Sequence, residues 1–344
     1  MAFQMPVDPR EARRARLVGW ATFLLVAILI GLLAYLGYAG FEGSDQLVHP
    51  DRSRICRLPS ALGWGYQAIN YDPASDAALA AEADPLDCAS VGQAAGTDLM
   101  AADGTRLAGW YIPATAPTGP EGPTVVLVHG HGSNKNAMLP WAEVLHADYN
   151  LVLFDQRNHG QSFGTETTVG VRERMDLEAV VEWVRATYAP SNIAVLGGSM
   201  GAITATHAVA LGLPVQALVL DSSPLSVASS AQRRIESHNY PLALPASWAI
   251  VLGALFRTGV DVTAADPIIN IDDVRSVPVL ILQGDADLAI DPTSADQLAA
   301  AAAEAGVQAE VHICAGAGHS RLLEVCPDDY RTWVLGFLAR TLGP

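Results

Sequence analysis

The chain has 344 residues, half of them hydrophobic, with 36 acidic against 20 basic side chains and a formal net charge of −16. That is enough apolar content for a sizeable core, and enough length for one large domain or two small ones. The acidic balance speaks against nucleic acid as a partner, because phosphate binding needs a basic face and none is visible beyond the first residues.

Residues 17–38 run without a charge. As a helix rising 1.5 Å per residue they reach about 33 Å, which matches a hydrocarbon core of about 30 Å. Arg10, Arg13, Arg14 and Arg16 precede the segment, while Glu42 and Asp45 follow it. The basic flank assigns residues 1–16 to the cytoplasm and the rest of the chain to the far side. The expectation is a single-pass cell-membrane anchor with an extracytoplasmic domain. The alternative is a secreted product of signal cleavage near Ala39, although such signals have apolar stretches of only about 7–15 residues.

Residues 39–95 mix Pro, Ala, Asp and aromatics with no sustained period, and read as a stalk or as an N-terminal extension packed on the domain that follows. The four cysteines form two sequence-local pairs, Cys56 with Cys88 and Cys314 with Cys326. An external location permits both disulfides, and a 314–326 bridge would be worth roughly 3 kcal/mol in the chain-entropy model. Buried free thiols are the alternative. No C-x-x-C or histidine cluster suggests a metal site, and nothing suggests a cofactor.

From residue 96 to the end the pattern is regular. Asp103-Gly104 turns a hairpin between 98–101 and 107–112. Short apolar runs at 124–128, 151–154, 193–196, 217–220, 279–282 and 310–313 suit parallel strands buried on both faces. Between them, Met175, Leu177, Val180, Val181, Trp183 and Val184 mark a helix over 173–188. Alternating strands and helices predict an α/β sheet covered on both sides. The alternation stops over 223–276, where Pro241 and Pro245 bracket apolar turns such as 248–256. This segment reads as a short helical insert, either a lid over the site or a completion of the core.

The strand at 193–196 runs straight into Gly197-Gly198-Ser199-Met200-Gly201 and a small-residue helix. That is the sequence form of a nucleophile elbow, a sharp turn that exposes a serine to a base. A second G-x-S-x-G surrounds Ser162, but it lies in a polar loop with no helix opening after it. Context selects Ser199. After the strand at 124–128, His129-Gly130-His131-Gly132 forms a turn in which the His131 N–H, with that of Met200, can face a developing oxyanion. Asp287 follows the strand at 279–282, and His319 follows the last strand. In the order Ser, Asp, His, the histidine would exchange the serine proton while the carboxylate fixes its tautomer. Asp285 and Asp291 are alternative acids. His159 reads as holding its loop, His207 as a packed or capping helix residue, the His131 imidazole as filling space, and Asp272 and Asp273 as a solvated turn rather than a calcium site.

The strings VVLVHGHG, LVLFDQRNHGQS, VLGGSMGAITA, ALVLDSSP, LILQGDADLAIDP and GAGHS, in this order over roughly 245 residues, resemble the α/β-hydrolase superfamily, close to membrane-associated serine hydrolases related to prolyl-oligopeptidase catalytic domains. The resemblance implies an eight-stranded, mostly parallel sheet and acyl hydrolysis through an acyl-enzyme, and among the acids it favours Asp287. His131 stands where lipase-type members often carry glycine. The expected activity is hydrolysis of a small carboxylic ester, acyl or lipid-derived. A peptidase or amidase, an acyltransferase, and a catalytically silent binding scaffold are the competing readings. Dehalogenase chemistry would need a carboxylate at Ser199.

Overall fold

The computed structural model describes residues 9–51, 57–71 and 96–343. Eight strands make one sheet: β1 (Gln67–Ile69), β2 (Gly109–Ile112), β3 (Thr124–Val128), β4 (Asn150–Phe154), β5 (Ile193–Gly198), β6 (Ala217–Asp221), β7 (Val279–Gly284) and β8 (Ala309–Cys314). Their spatial order is β1-β2-β4-β3-β5-β6-β7-β8. β1 pairs antiparallel with β2, and β2 antiparallel with β4; all other neighbours are parallel.

The helices are α1 (Pro9–Val48), α2 (Leu139–Leu145), α3 (Glu173–Tyr188), α4 (Met200–Ala210), α5 (Val227–Ser237), α6 (Ala243–Thr258), the single turn α7 (Pro267–Asn270), α8 (Ser294–Glu304), the single turn α9 (Leu322–Val325) and α10 (Pro327–Leu342). Successive strand side chains point to opposite faces, so each central strand serves two cores. Val126, Val128, Val195 and Leu220 pack with Leu177, Val181, Ala205 and Leu298 of α3, α4 and α8. Val125, Leu127, Leu196 and Val219 pack with Leu139, Leu145, Tyr330 and Phe337 of α2 and α10. The predicted α/β sheet with helices on both faces is the observed one.

Three local differences from the sequence reading have physical causes. The helix that begins in the basic segment does not stop at residue 38 but runs to Val48, where its end is buried with Met200, Ile203, Val227, Val251 and Ala254. Backbone-to-backbone contact with α6 holds this extension: a Cβ on Gly40 would lie 2.8 Å from the Ala249 carbonyl oxygen, and one on Gly253 would lie 2.5 Å from the Gly40 carbonyl oxygen. Within 39–95, residues 67–69 belong to the sheet as its edge strand β1. The hairpin at Asp103-Gly104 keeps only the bridge between Met100 and Arg106, and β2 pairs instead with β1 and β4. Cys314 and Cys326 are disulfide-bonded; Cys56 and Cys88 lie outside the described residues.

Candidate active site

The elbow is built by close packing. Ser199 has φ +53° and ψ −118°, a region that costs a non-glycine residue of order 1–3 kcal/mol and so needs its surroundings to enforce it. A Cβ on Gly201 would sit 2.1 Å from the Val128 carbonyl oxygen, and one on Gly197 would sit 2.3 Å from the Gly201 carbonyl oxygen. Only glycine at these two positions lets β5, the turn and α4 stack against β3. The Ser199 N–H donates to the Asp221 carbonyl at 2.9 Å, tying the turn to the end of β6.

His319 Nε2 lies 3.0 Å from Ser199 Oγ, and His319 Nδ1 lies 2.8 Å from Asp287 Oδ2. Asp287 is buried in the loop after β7, where its Oδ1 accepts the N–H groups of Ala289 and Ile290 and its Oδ2 also accepts from Gln283 Nε2. Burial pushes this carboxyl up, but the hydrogen bond and charge of His319 and the two backbone donors outweigh it and leave the group below the ordinary carboxylate range. The alternative acids are engaged elsewhere. Asp285 Oδ1 accepts the Gly316 N–H, and Asp291 Oδ1 accepts from Thr293.

The turn after β3 lies against Ser199: a Cβ on Gly130 would be 3.2 Å from the Ser199 Cβ. Met200 is the first residue of α4, so its N–H has no intrahelical carbonyl to bond. The rest of this wall is a histidine network. His129 Nδ1 lies 2.8 Å from the Gly130 carbonyl oxygen, and its Nε2 accepts the Gln156 N–H; the Gln156 side chain in turn reaches the His129 carbonyl and Thr204. His159 Nε2 accepts the Gly132 N–H. The His131 imidazole turns away from the serine and bonds the Leu47 carbonyl at 2.8 Å, in the last turn of α1. Burial lowers the pKa of both His129 and His131, more than their carbonyl partners raise it. Below the turn, Lys135 Nζ lies 2.6 Å from Asp155 Oδ2 and donates to Gln161 Oε1, with the lysine side chain 2% exposed.

The remaining singled-out residues take structural places. Ser162 is buried, donating to the Asp155 carbonyl and accepting the Ala108 N–H. His207 Nδ1 meets Asn270 Oδ1 at 2.9 Å, and Asp272 and Asp273 are exposed in a short turn. One supporting group lies in the string ALVLDSSP but is not among the residues singled out for the site. Asp221, at the end of β6, is buried and takes hydrogen bonds from Trp141, Tyr330 and Ser222, while the Ser222 hydroxyl accepts the N–H of Ser320, next to His319. Burial raises the Asp221 carboxyl. Two of its donors, Trp141 and Tyr330, come from distant segments that no local pattern brings together. Arg233 on α5 is a second such residue, with Nη2 3.5 Å from the Asp287 carbonyl oxygen.

Residues 123–241 match the family model described as alpha/beta hydrolase fold. The uncharacterized protein YfhR of Salmonella typhimurium is 32% identical over 220 residues, 59% of this chain and 68% of that protein. An uncharacterized protein of Mycobacterium tuberculosis is 33% identical over 64% of this chain and 73% of its own length. Among solved structures, an esterase of Pyrococcus furiosus superposes with a TM-score of 0.65 at 24% identity, covering 86% of this chain and 99% of that one. A puromycin-hydrolyzing peptidase of Mycobacterium tuberculosis superposes with a TM-score of 0.57 at 19% identity, over 72% of this chain and 40% of that one.

Proposed function

Because the chain belongs to the α/β-hydrolase family, we propose that it is a serine hydrolase of carboxylic esters, working through Ser199, His319 and Asp287. The observation that carries this reading is the continuous line from Ser199 Oγ to His319 Nε2 at 3.0 Å and from Nδ1 to Asp287 Oδ2 at 2.8 Å. His319 takes the Ser199 proton as Oγ attacks the ester carbonyl. The N–H groups of Met200 and His131 stabilise the oxyanion of the tetrahedral intermediate. His319 then returns the proton to the departing alcohol, leaving an acyl-enzyme that water hydrolyses by the same steps reversed. Asp287 keeps the imidazole proton on Nδ1 and stabilises the imidazolium.

An ester substrate is supported by the esterase neighbour, which is matched over 99% of its length. A peptidase is the second reading, supported by the peptidase neighbour, though the match spans only 40% of that chain. α1 anchors the protein in the cell membrane, with the basic flank on the cytoplasmic side and the hydrolase domain outside. Its support is one long apolar helix near the N-terminus, none of whose most apolar stretch is buried against the rest of the protein.

The test is hydrolysis of p-nitrophenyl esters from acetyl to palmitoyl by the full chain in detergent, beside Ser199→Ala and aminoacyl p-nitroanilides. Ester turnover that the substitution abolishes, with slow anilide cleavage, is the expected result. Faster anilide cleavage would replace the esterase by the peptidase. No turnover and no labelling of Ser199 by a fluorophosphonate would leave a binding scaffold.

A further inference from the structure

α6 presents three faces. Ala249, Ile250, Gly253 and Arg257 meet α1, and Val251 and Ala254 are buried beside Met200 and Ile203. The third face, Leu244, Trp248, Leu252 and Phe256, repeats every four residues and is between 49% and 86% exposed. Tyr240 and Leu242, in the turn before the helix, are also exposed. A lone exposed leucine needs no explanation, but a continuous stripe of large apolar side chains marks a contact surface.

The course of α1 identifies what covers it. Tyr35 Oη donates to the Pro241 carbonyl at 2.7 Å, and Arg257 donates to the Phe41 carbonyl and to Ser44 Oγ, each at 2.9 Å. α6 therefore runs parallel to α1, and their contact begins inside the apolar segment. Tyr35 precedes the end of that segment at Tyr38 by three residues, about 4.5 Å of helix rise. A bilayer that holds α1 as far as Tyr38 holds Pro241 and the first turn of α6 at the same depth. Trp248 precedes Ala249, which packs on Gly40, and so stands at the level where tryptophan and tyrosine collect in membrane proteins.

We propose that the turn before α6 and the outward stripe of α6 form a second membrane contact, seated in the lipid headgroups and upper acyl chains of the leaflet from which α1 emerges. The proposal rests on the reading of α1 as a membrane anchor. The opposite face of α6 packs on Met200 and Ile203, directly after Ser199. One helix diameter, about 10 Å, then separates the elbow from the lipid.

The experiment uses the full chain in phosphatidylcholine vesicles, with and without bromine near the glycerol end of the acyl chains, where bromine quenches adjacent tryptophan. Trp20 in α1 is 66% exposed and Trp248 is 49% exposed. Trp20→Phe and Trp248→Phe should each remove a large part, about half, of the quenchable fluorescence, as interfacial tryptophans would. Loss with Trp20→Phe but none with Trp248→Phe would overturn the proposal while leaving the anchor standing, and would assign the stripe to a second copy of the chain. No loss with either would overturn the anchor, and the proposal with it.

Discussion

His319 Nδ1 lies 2.8 Å from Asp287 Oδ2, while the other carboxylate oxygen of Asp287 is held by the N–H groups of Ala289 and Ile290. In Asp287→Asn the amide oxygen keeps those two donors, which turns the NH₂ toward His319. The imidazole is then driven to carry its proton on Nε2, facing Ser199, where it cannot act as a base. The expected result is a fall in kcat of about 10⁴ with KM little changed. Steady-state kinetics on a p-nitrophenyl ester read it, with circular dichroism to show an unchanged fold.

The two glycines of the elbow motif and the residue between Gly197 and Ser199 should separate cleanly. Gly201→Ala forces a Cβ to within 2.1 Å of the Val128 carbonyl oxygen, whereas a Cβ on Gly198 meets nothing within 4 Å. We expect Gly201→Ala to lose more than about 3 kcal/mol, and Gly198→Ala to stay within about 1 kcal/mol of the parent. Urea denaturation of both variants checks this. Equal stabilities would mean that the turn relaxes away from β3.

Asp266 anchors the start of α5 by accepting the Val227 N–H at 2.7 Å. Burial, reinforced by the nearby charge of Asp261, raises its carboxyl from 3.8 to about 7 against the pull of that hydrogen bond. Between those values the folded chain binds a proton that the unfolded chain has released, so the contribution of this group to stability falls as pH rises from about 4 to about 7. Asp266→Asn removes that dependence while keeping an acceptor for Val227. Its stability relative to the parent should climb from pH 4.5 to pH 8, by at most about 4 kcal/mol. A constant difference across that range in urea titrations would contradict the assignment.

The Cys314–Cys326 bridge closes the loop that carries His319. Replacing both cysteines by serine should cost about 3 kcal/mol. It should also lower kcat at temperatures where the chain remains folded, because the loop loses its covalent tie and keeps only hydrogen bonds. The parent protein assayed under reductant should behave like the variant.

The readable parts of the fold were those with a local cause. β3, β4, β5, β6 and β7 are apolar runs buried on both faces, and their centres coincide with the predicted strands. β1 is three residues at a sheet edge, with an exposed Gln67, a partly buried Ala68 and a buried Ile69, too short to show a period. The extension of α1 past Tyr38 was hidden because Glu42, Ser44 and Asp45 read as linker, and what keeps them helical is contact with Gly253 and Arg257, some 210 positions later. At the site, Ser199, Asp287 and His319 stood out because each follows a strand in a glycine-marked turn. Asp221 and Arg233 did not, since their partners meet only in three dimensions.

Lys135 is the only lysine in the sequence, and it is enclosed with Asp155 and Gln161. An acylating reagent therefore finds no ε-amine on the folded surface. The rate at which Lys135 becomes modified counts the openings of the structure around it, and whether that rate follows the local or the global unfolding equilibrium can be told from its dependence on urea. The chain thus carries a built-in chronometer of its own breathing at one ε-amine, readable in the peptide that contains Lys135 without altering any residue.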